Sequence, residues 1–203
     1  MRGMVACLVG FVLSQGPAMA QVRDVNLGMS VPDGTRTEYY LALSDHYRVP
    51  PLHAVEMHER YRCRDEELPV VYFLAARARV SPSTIVGLRL QRMSWLDITL
   101  SAGLTPDVFF VPVRTDPVGP PYGNAYGHYR KYAASREWKG MPLTDQDVVA
   151  LVNLAFLSEH HGLPPERVMA MRGREASFVA INHEIKEGKA GEGGGGKFTS
   201  TMK

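Results

Sequence analysis

The chain of 203 residues contains two cysteines, and one of them, Cys7, falls in an apolar stretch at the N-terminus. Once that stretch is removed Cys63 stands alone, which excludes an intramolecular disulfide framework. Charge of one sign is also lacking. The 23 Lys and Arg stand against 21 Asp and Glu, a balance that recruits neither nucleic acid nor an anionic membrane through a global field. Beyond the first twenty residues no run approaches about eighteen consecutive apolar positions, the length that reads as membrane-spanning. There is no Gly-x-Ser-x-Gly elbow, P-loop, dinucleotide fingerprint or paired-cysteine motif. No catalytic, cofactor-binding or metal-ligating set emerges, and the chain reads away from an enzyme.

The N-terminus, MRGMVACLVGFVLSQGPAMA, is organised as a secretory signal. Arg2 supplies the positive end, Met4 to Leu13 the apolar core, Gly16-Pro17 a break, and Ala18 and Ala20 the small cleavage-site residues. Ten apolar residues span about 15 Å as a helix, roughly half of a bilayer core, so the leader is too short to anchor. The expectation is a signal peptide over 1–20 and an exported chain, periplasmic or secreted, that does not span the membrane after cleavage. Loss of Arg2 lowers the formal net charge from +2 to +1. Residues 21–40 read as a loosely ordered N-terminal segment. Residues 188–203, GKAGEGGGGKFTSTMK, lack periodicity and read as a flexible tail.

Two stretches nearly repeat each other: LSDHYRVPP from Leu43 and LSEHHGLPP from Leu157. A third joint, VSP at Val80, aligns with both. From Val80 and Leu163 onward the correspondence continues without a gap: Leu88 with Met171, Arg89 with Arg172, Ser94 with Ser177, Trp95 with Phe178 and Ile98 with Ile181. Each feature has a local structural cause. Gly162 is placed to close a helix in the left-handed conformation. Pro82 and Pro165 sit where a helix begins, Ser81 is a natural N-cap, and Ser94 with Asp97 forms an acidic capping box. The unit is helix, tight turn, short helix, turn, short helix, with Ile85, Leu88, Trp95 and Ile98 (Val168, Met171, Phe178 and Ile181 in the last copy) forming its core. A helix over Glu66–Ala78 ends the first unit and begins the second, so the units interlock. The recurrence thus marks a joint built repeatedly. His46 and His160 fall in last helical turns, where imidazole can meet the orphan carbonyls. The predicted fold is all-α: short helices in interlocked helix-turn-helix-like repeat units, two over 41–110 and a third over 144–187.

Several motifs resemble functional sites without completing them. ITLSAGLTPDVF, Ile98 to Phe109, resembles the core of a helix-turn-helix. Its second helix would read TPDVFFVPV, stopped within two turns by Pro112 and presenting Asp107 and phenylalanines where base readers need Arg, Lys, Asn or Gln. A nucleic-acid binder is therefore the weakest reading, since phosphate contacts need a basic surface. In HAVEMH, His53 and His58 are five apart, about 140° around a helix, which serves one metal ion poorly. His160 and His161 diverge by about 100°. Cys63 lies in ERYRCRDEE, where Arg62 and Arg64 can lower a thiol pKa; without a partner base it reads as a half-exposed cysteine ending a short helix.

From Val111 to Leu143 the repeat is interrupted by a segment rich in Tyr, Gly and Pro. Tyr122, Tyr126 and Tyr129 fall at i, i+4 and i+7, followed by Tyr132 and Trp138. Between Gly119 and Gly140 the bases Arg130, Lys131, Arg136 and Lys139 face only Glu137. Tyr122, Tyr126, Tyr129, Arg130, Lys131 and Trp138 are the candidate ligand contacts, suited to stacking on rings or engaging an anionic polymer. The competing reading packs the tyrosines on the domain with hydroxyls at the rim. Gly123 and Gly127 would let that backbone lie against Thr144–His161, a helix apolar nearly all round that needs cover. The functional expectation is an exported, non-catalytic binding or structural module of the bacterial cell envelope, without a cofactor, whose partner is an envelope protein or polymer. The alternative is an envelope enzyme acting on wall polymer.

Overall fold

The structure, a computed structural model, describes residues 34–114, 118–174 and 177–188. The leader, residues 21–33 and the tail from 189 lie outside the described residues. Those described belong to one compact unit and form nine α-helices and three short 3-10 turns, with no strand among them. The helices are α1 (Gly34–Tyr47), α2 (Pro51–Tyr61), α3 (Leu68–Ala78), α4 (Pro82–Leu90), α5 (Trp95–Ser101), α6 (Gly123–Ala133), α7 (Asp145–His161), α8 (Pro165–Arg172) and α9 (Phe178–Lys186). The protein is all-α, and among the described residues no helix is long and apolar enough to cross a membrane. Part of the segment expected to be loosely ordered, residues 34–40, is helical. In α1, Tyr39 and Tyr40 are core residues: the Tyr39 hydroxyl donates to Asn153 Oδ1, and that of Tyr40 to Asp65 Oδ1 at 2.6 Å.

The joint is built three times with one backbone geometry. Arg48, Arg79 and Gly162 take left-handed conformations, with φ of 55°, 57° and 64°. The next N–H reaches back five residues: Val49 to Ser44 O at 3.1 Å, Val80 to Ala75 O at 3.0 Å and Leu163 to Ser158 O at 2.9 Å. These are Schellman closures, which satisfy the orphan carbonyls of the ending helix. Pro50, Ser81 and Pro164 then extend the chain, and Pro51, Pro82 and Pro165 open the following helix. Only the third joint uses glycine; an arginine in this conformation costs about 1 kcal/mol.

The second and third units embrace reciprocally. Ser94 and Ser177 accept the N–H groups of Asp97 and Ala180 at 3.0 and 3.1 Å, each starting the last helix of its unit. The aligned Trp95 and Phe178 are fully buried at 0% and 1% exposure. The aligned Arg89 and Arg172 each place the guanidinium 4.6 Å from the ring centre. Each aromatic's own N–H is capped by the opposite unit. Trp95 donates to Asp145 Oδ1, at the start of α7, at 2.8 Å. Phe178 donates to Glu66 Oε1, in the turn entering α3, at 2.6 Å.

α7 is the central helix, packed on α1, α3, α5, α8 and α9. Its cover therefore comes from the repeat helices, and the role expected of the two glycines is corrected. A Cβ at Gly123 would meet the Val118 carbonyl at 2.9 Å, within the insert itself, and Gly127 faces open space. The helix-turn-helix resemblance also ends early: after α5 and a turn at Gly103, with φ of 75°, the second element is a single 3-10 turn, Pro106–Phe109. Pro106 and Phe109 are buried in it, so it presents no reading face.

Candidate functional site

The tyrosine spacing forms α6 and places Tyr122, Tyr126 and Tyr129 on one buried face. Their hydroxyls turn inward rather than lying at a rim. Tyr126 donates to the Val111 carbonyl at 2.5 Å and Tyr129 to that of Pro106 at 2.9 Å. Burial pushes the Tyr126 hydroxyl up to about 12 and that of Tyr129 higher still. The Tyr122 hydroxyl is buried with no hydrogen-bond partner among the described residues. Arg130 and Lys131 are exposed, and the Lys131 ammonium lies 5.6 Å from the Tyr132 ring centre.

Four of the six candidate contacts converge. Tyr126, Tyr129, Arg130 and Trp138 line a pocket of about 530 Å³ completed by Asp107, Phe110, Val113, Val118 and Ala133. Tyr122 and Lys131 are not among its lining residues. The residue missed by sequence reasoning is Phe110, which is 47% exposed. It stands edge-on to Tyr129, ring centres 4.9 Å apart, and 6.1 Å from Tyr126; Trp138 lies 6.2 Å from Tyr129. A signal for it exists in the Phe109-Phe110 doublet. Phe109 closes the 3-10 turn and is buried, while Phe110 follows in extended backbone and points the other way. With the hydroxyls spent on main-chain carbonyls, the pocket offers ring faces and aliphatic groups, and Asp107 and Arg130 supply its charge.

A larger cleft of about 810 Å³ lies where the first turns of α1, α7 and α9 meet the turn before α3. Three of its four acids come from the RDEE run, which in the sequence reads only as the flank of Cys63, and the fourth is Asp145. Asp65 accepts from Tyr40 and pairs with Arg36 at 2.9 Å and His58 at 3.1 Å. Glu67 pairs with Arg64 at 3.2 Å and Arg89 at 2.9 Å. Burial opposes its ionisation, but the two arginine bonds outweigh burial and hold its carboxyl below the usual range. Asp145 pairs with Arg89 at 2.6 Å besides capping Trp95, and Glu66 caps Phe178. These carboxylates are committed to holding helix starts together.

The remaining motifs disperse. Cys63 is buried rather than half-exposed, and burial, with Glu67 behind it, pushes its thiol up to about 11. Arg62 is the left-handed cap of α2 and Arg64 turns to Glu67, so neither activates it. His58 Nδ1 lies 2.9 Å from the Cys63 carbonyl and 3.1 Å from Asp65, Glu56 pairs with Arg60 at 3.1 Å, and the His53 ring faces Tyr72 at 6.0 Å. Glu38, His183 and Glu187 bring potential ligand atoms within 4.8 Å of one another. The Lys186 ammonium, 3.3 Å from Glu38, already supplies a cation there. Comparison with protein families, curated proteins and solved structures finds no match to this chain, so a functional reading rests on the pocket's geometry.

Proposed function

We propose that this chain is an exported, non-catalytic binding module of the bacterial cell envelope that holds an apolar side chain of an envelope protein in the α6 pocket. The observation that carries this reading is the half-exposed Phe110 over walls whose tyrosine hydroxyls are turned away. An apolar group gains there by burying the part of the Phe110 ring that water now covers, at about 25 cal/mol per Å². The volume lies within the roughly 300–1,000 Å³ of small-ligand sites. A non-catalytic reading is supported by the larger cleft, whose four carboxylates are all engaged in structural bonds. Export rests on the leader over 1–20, with its apolar core and Ala18-Met19-Ala20. The test is retention of envelope protein by the immobilised chain, with binding of a neutral naphthylamine fluorophore read in parallel. Phe110→Ser and Trp138→Ala should each lose both, whereas Leu90→Ser, an exposed apolar residue outside the pocket lining, should lose neither. Retention unchanged by Phe110→Ser would refute the assignment, and retention of wall polymer in place of protein would refute the partner.

A further inference from the structure

We propose that His46 and His160 form an acid-sensitive latch between the C-terminal turns of α1 and α7. The two copies of the nine-residue repeat do not merely recur; they face each other. His46 Nε2 lies 3.8 Å from Glu159 Oε2, and His160 Nδ1 lies 3.7 Å from Asp45 Oδ2. Each imidazole thus meets the acid of the opposite copy, an arrangement that replaces the expected capping of its own helix. The rings are 6.2 Å apart and both rest on buried Phe156, at 5.2 and 5.8 Å. The Tyr47 ring stands edge-on to His46 at 4.6 Å and stacks on the same Phe156 at 6.0 Å.

This packing favours neutral rings. Burial lowers the His46 pKa, opposed by Glu159 and Asp45. Burial lowers that of His160 too, helped by His161, His46 and Lys186 and opposed by Asp45. The charged groups facing the pair are therefore Asp45 from α1, Glu159 and His161 from α7, and Lys186 from α9. The acids are 84% and 70% exposed, so water screens their attraction. Because both folded-state values lie below the unfolded one, the contribution to stability is complete above about pH 6.5 and is lost as pH falls below it. Acidification sets two cations 6.2 Å apart beside a third imidazole, and loosens α1 from α7.

The experiment is an NMR titration of the histidine ring protons in the full chain, with melting followed over the same range. Both rings should titrate below about pH 6.5. His46→Gln, which removes a like charge, should raise the His160 midpoint. The loss of melting temperature between about pH 7.5 and 5.5 should shrink by roughly half in the double variant His46→Gln/His160→Gln. Midpoints at or above the unfolded value overturn the latch. So does an acid loss in the double variant equal to that of the unmodified chain. The titration of the unmodified protein decides the matter even if a variant folds poorly.

Discussion

Truncating Trp95 or Phe178 to alanine tests whether the two units are equivalent in energy as well as in geometry. Both side chains are fully buried, and emptying such a site costs about 3–5 kcal/mol through lost transfer energy and the cavity left behind. The guanidinium over each ring accounts for about 0.5–2 kcal/mol of that. The N–H bonds to Asp145 and Glu66 are made by main chain and survive the substitution, so the loss is one of packing. For a domain of this size each kcal/mol moves the midpoint by roughly 2–4 °C, giving a predicted drop of roughly 6–20 °C for either variant. Thermal melts followed by circular dichroism, with urea unfolding as a check, measure it. A midpoint within about 2 °C of the unmodified protein for either variant would refute the equivalence, because one unit would then not be anchored by its aromatic.

Three further outcomes are expected, two from the structure and the third from the sequence. Arg79→Gly should stabilise by about 1 kcal/mol in urea unfolding, and Gly162→Ala should destabilise by a similar amount, because both positions take positive φ that only glycine adopts without strain. The Cys63 thiol, buried and shifted upward, should resist Ellman's reagent at mildly alkaline pH until denaturant is added; rapid labelling of the native protein would contradict its placement. Mass spectrometry of the envelope fraction should find Gln21, free or cyclised, at the N-terminus, because Ala18 and Ala20 precede it in cleavage-site positions.

The joints were legible because their chemistry is local. A proline opening a helix, a serine before it and a glycine closing the preceding helix act over a few residues, and the structure uses Pro82, Ser81 and Gly162 in those roles. Arg48 and Arg79 take the same left-handed turn without any signature of composition, and only alignment with Gly162 marks them. The reciprocal caps could not be read at all. Asp145 and Glu66 reach N–H groups 50 and 112 residues away, and a carboxylate at that separation looks like any solvated acid. The repeated histidines failed in the same way. Their position in a last turn suggested local carbonyls, while the partners come from the opposite copy across α1 and α7.

The pocket shows where periodicity stops informing. Spacing of i, i+4 and i+7 puts Tyr122, Tyr126 and Tyr129 on one helix face, but says nothing of what that face meets. The answer lies in the chain preceding α6. Residues 105–114 contain one 3-10 turn and two prolines, Pro106 and Pro112, which lack N–H groups and cannot build a ladder. Buried carbonyls in such a segment need donors from elsewhere, and the Tyr126 and Tyr129 hydroxyls supply them at Val111 and Pro106. That demand turns the hydroxyls inward, away from the pocket, and leaves Phe110 as its exposed ring, so the irregular segment determines the chemistry the pocket offers. It also determines where Phe110 lies. Because Phe109 is drawn into the core by the 3-10 turn, the extended residue after it must project Phe110 away, over the tyrosines. A substitution that frees the turn, such as Pro106→Ala, therefore acts on the pocket through Phe110 and through the Tyr129 bond to the Pro106 carbonyl, although Pro106 itself does not line it.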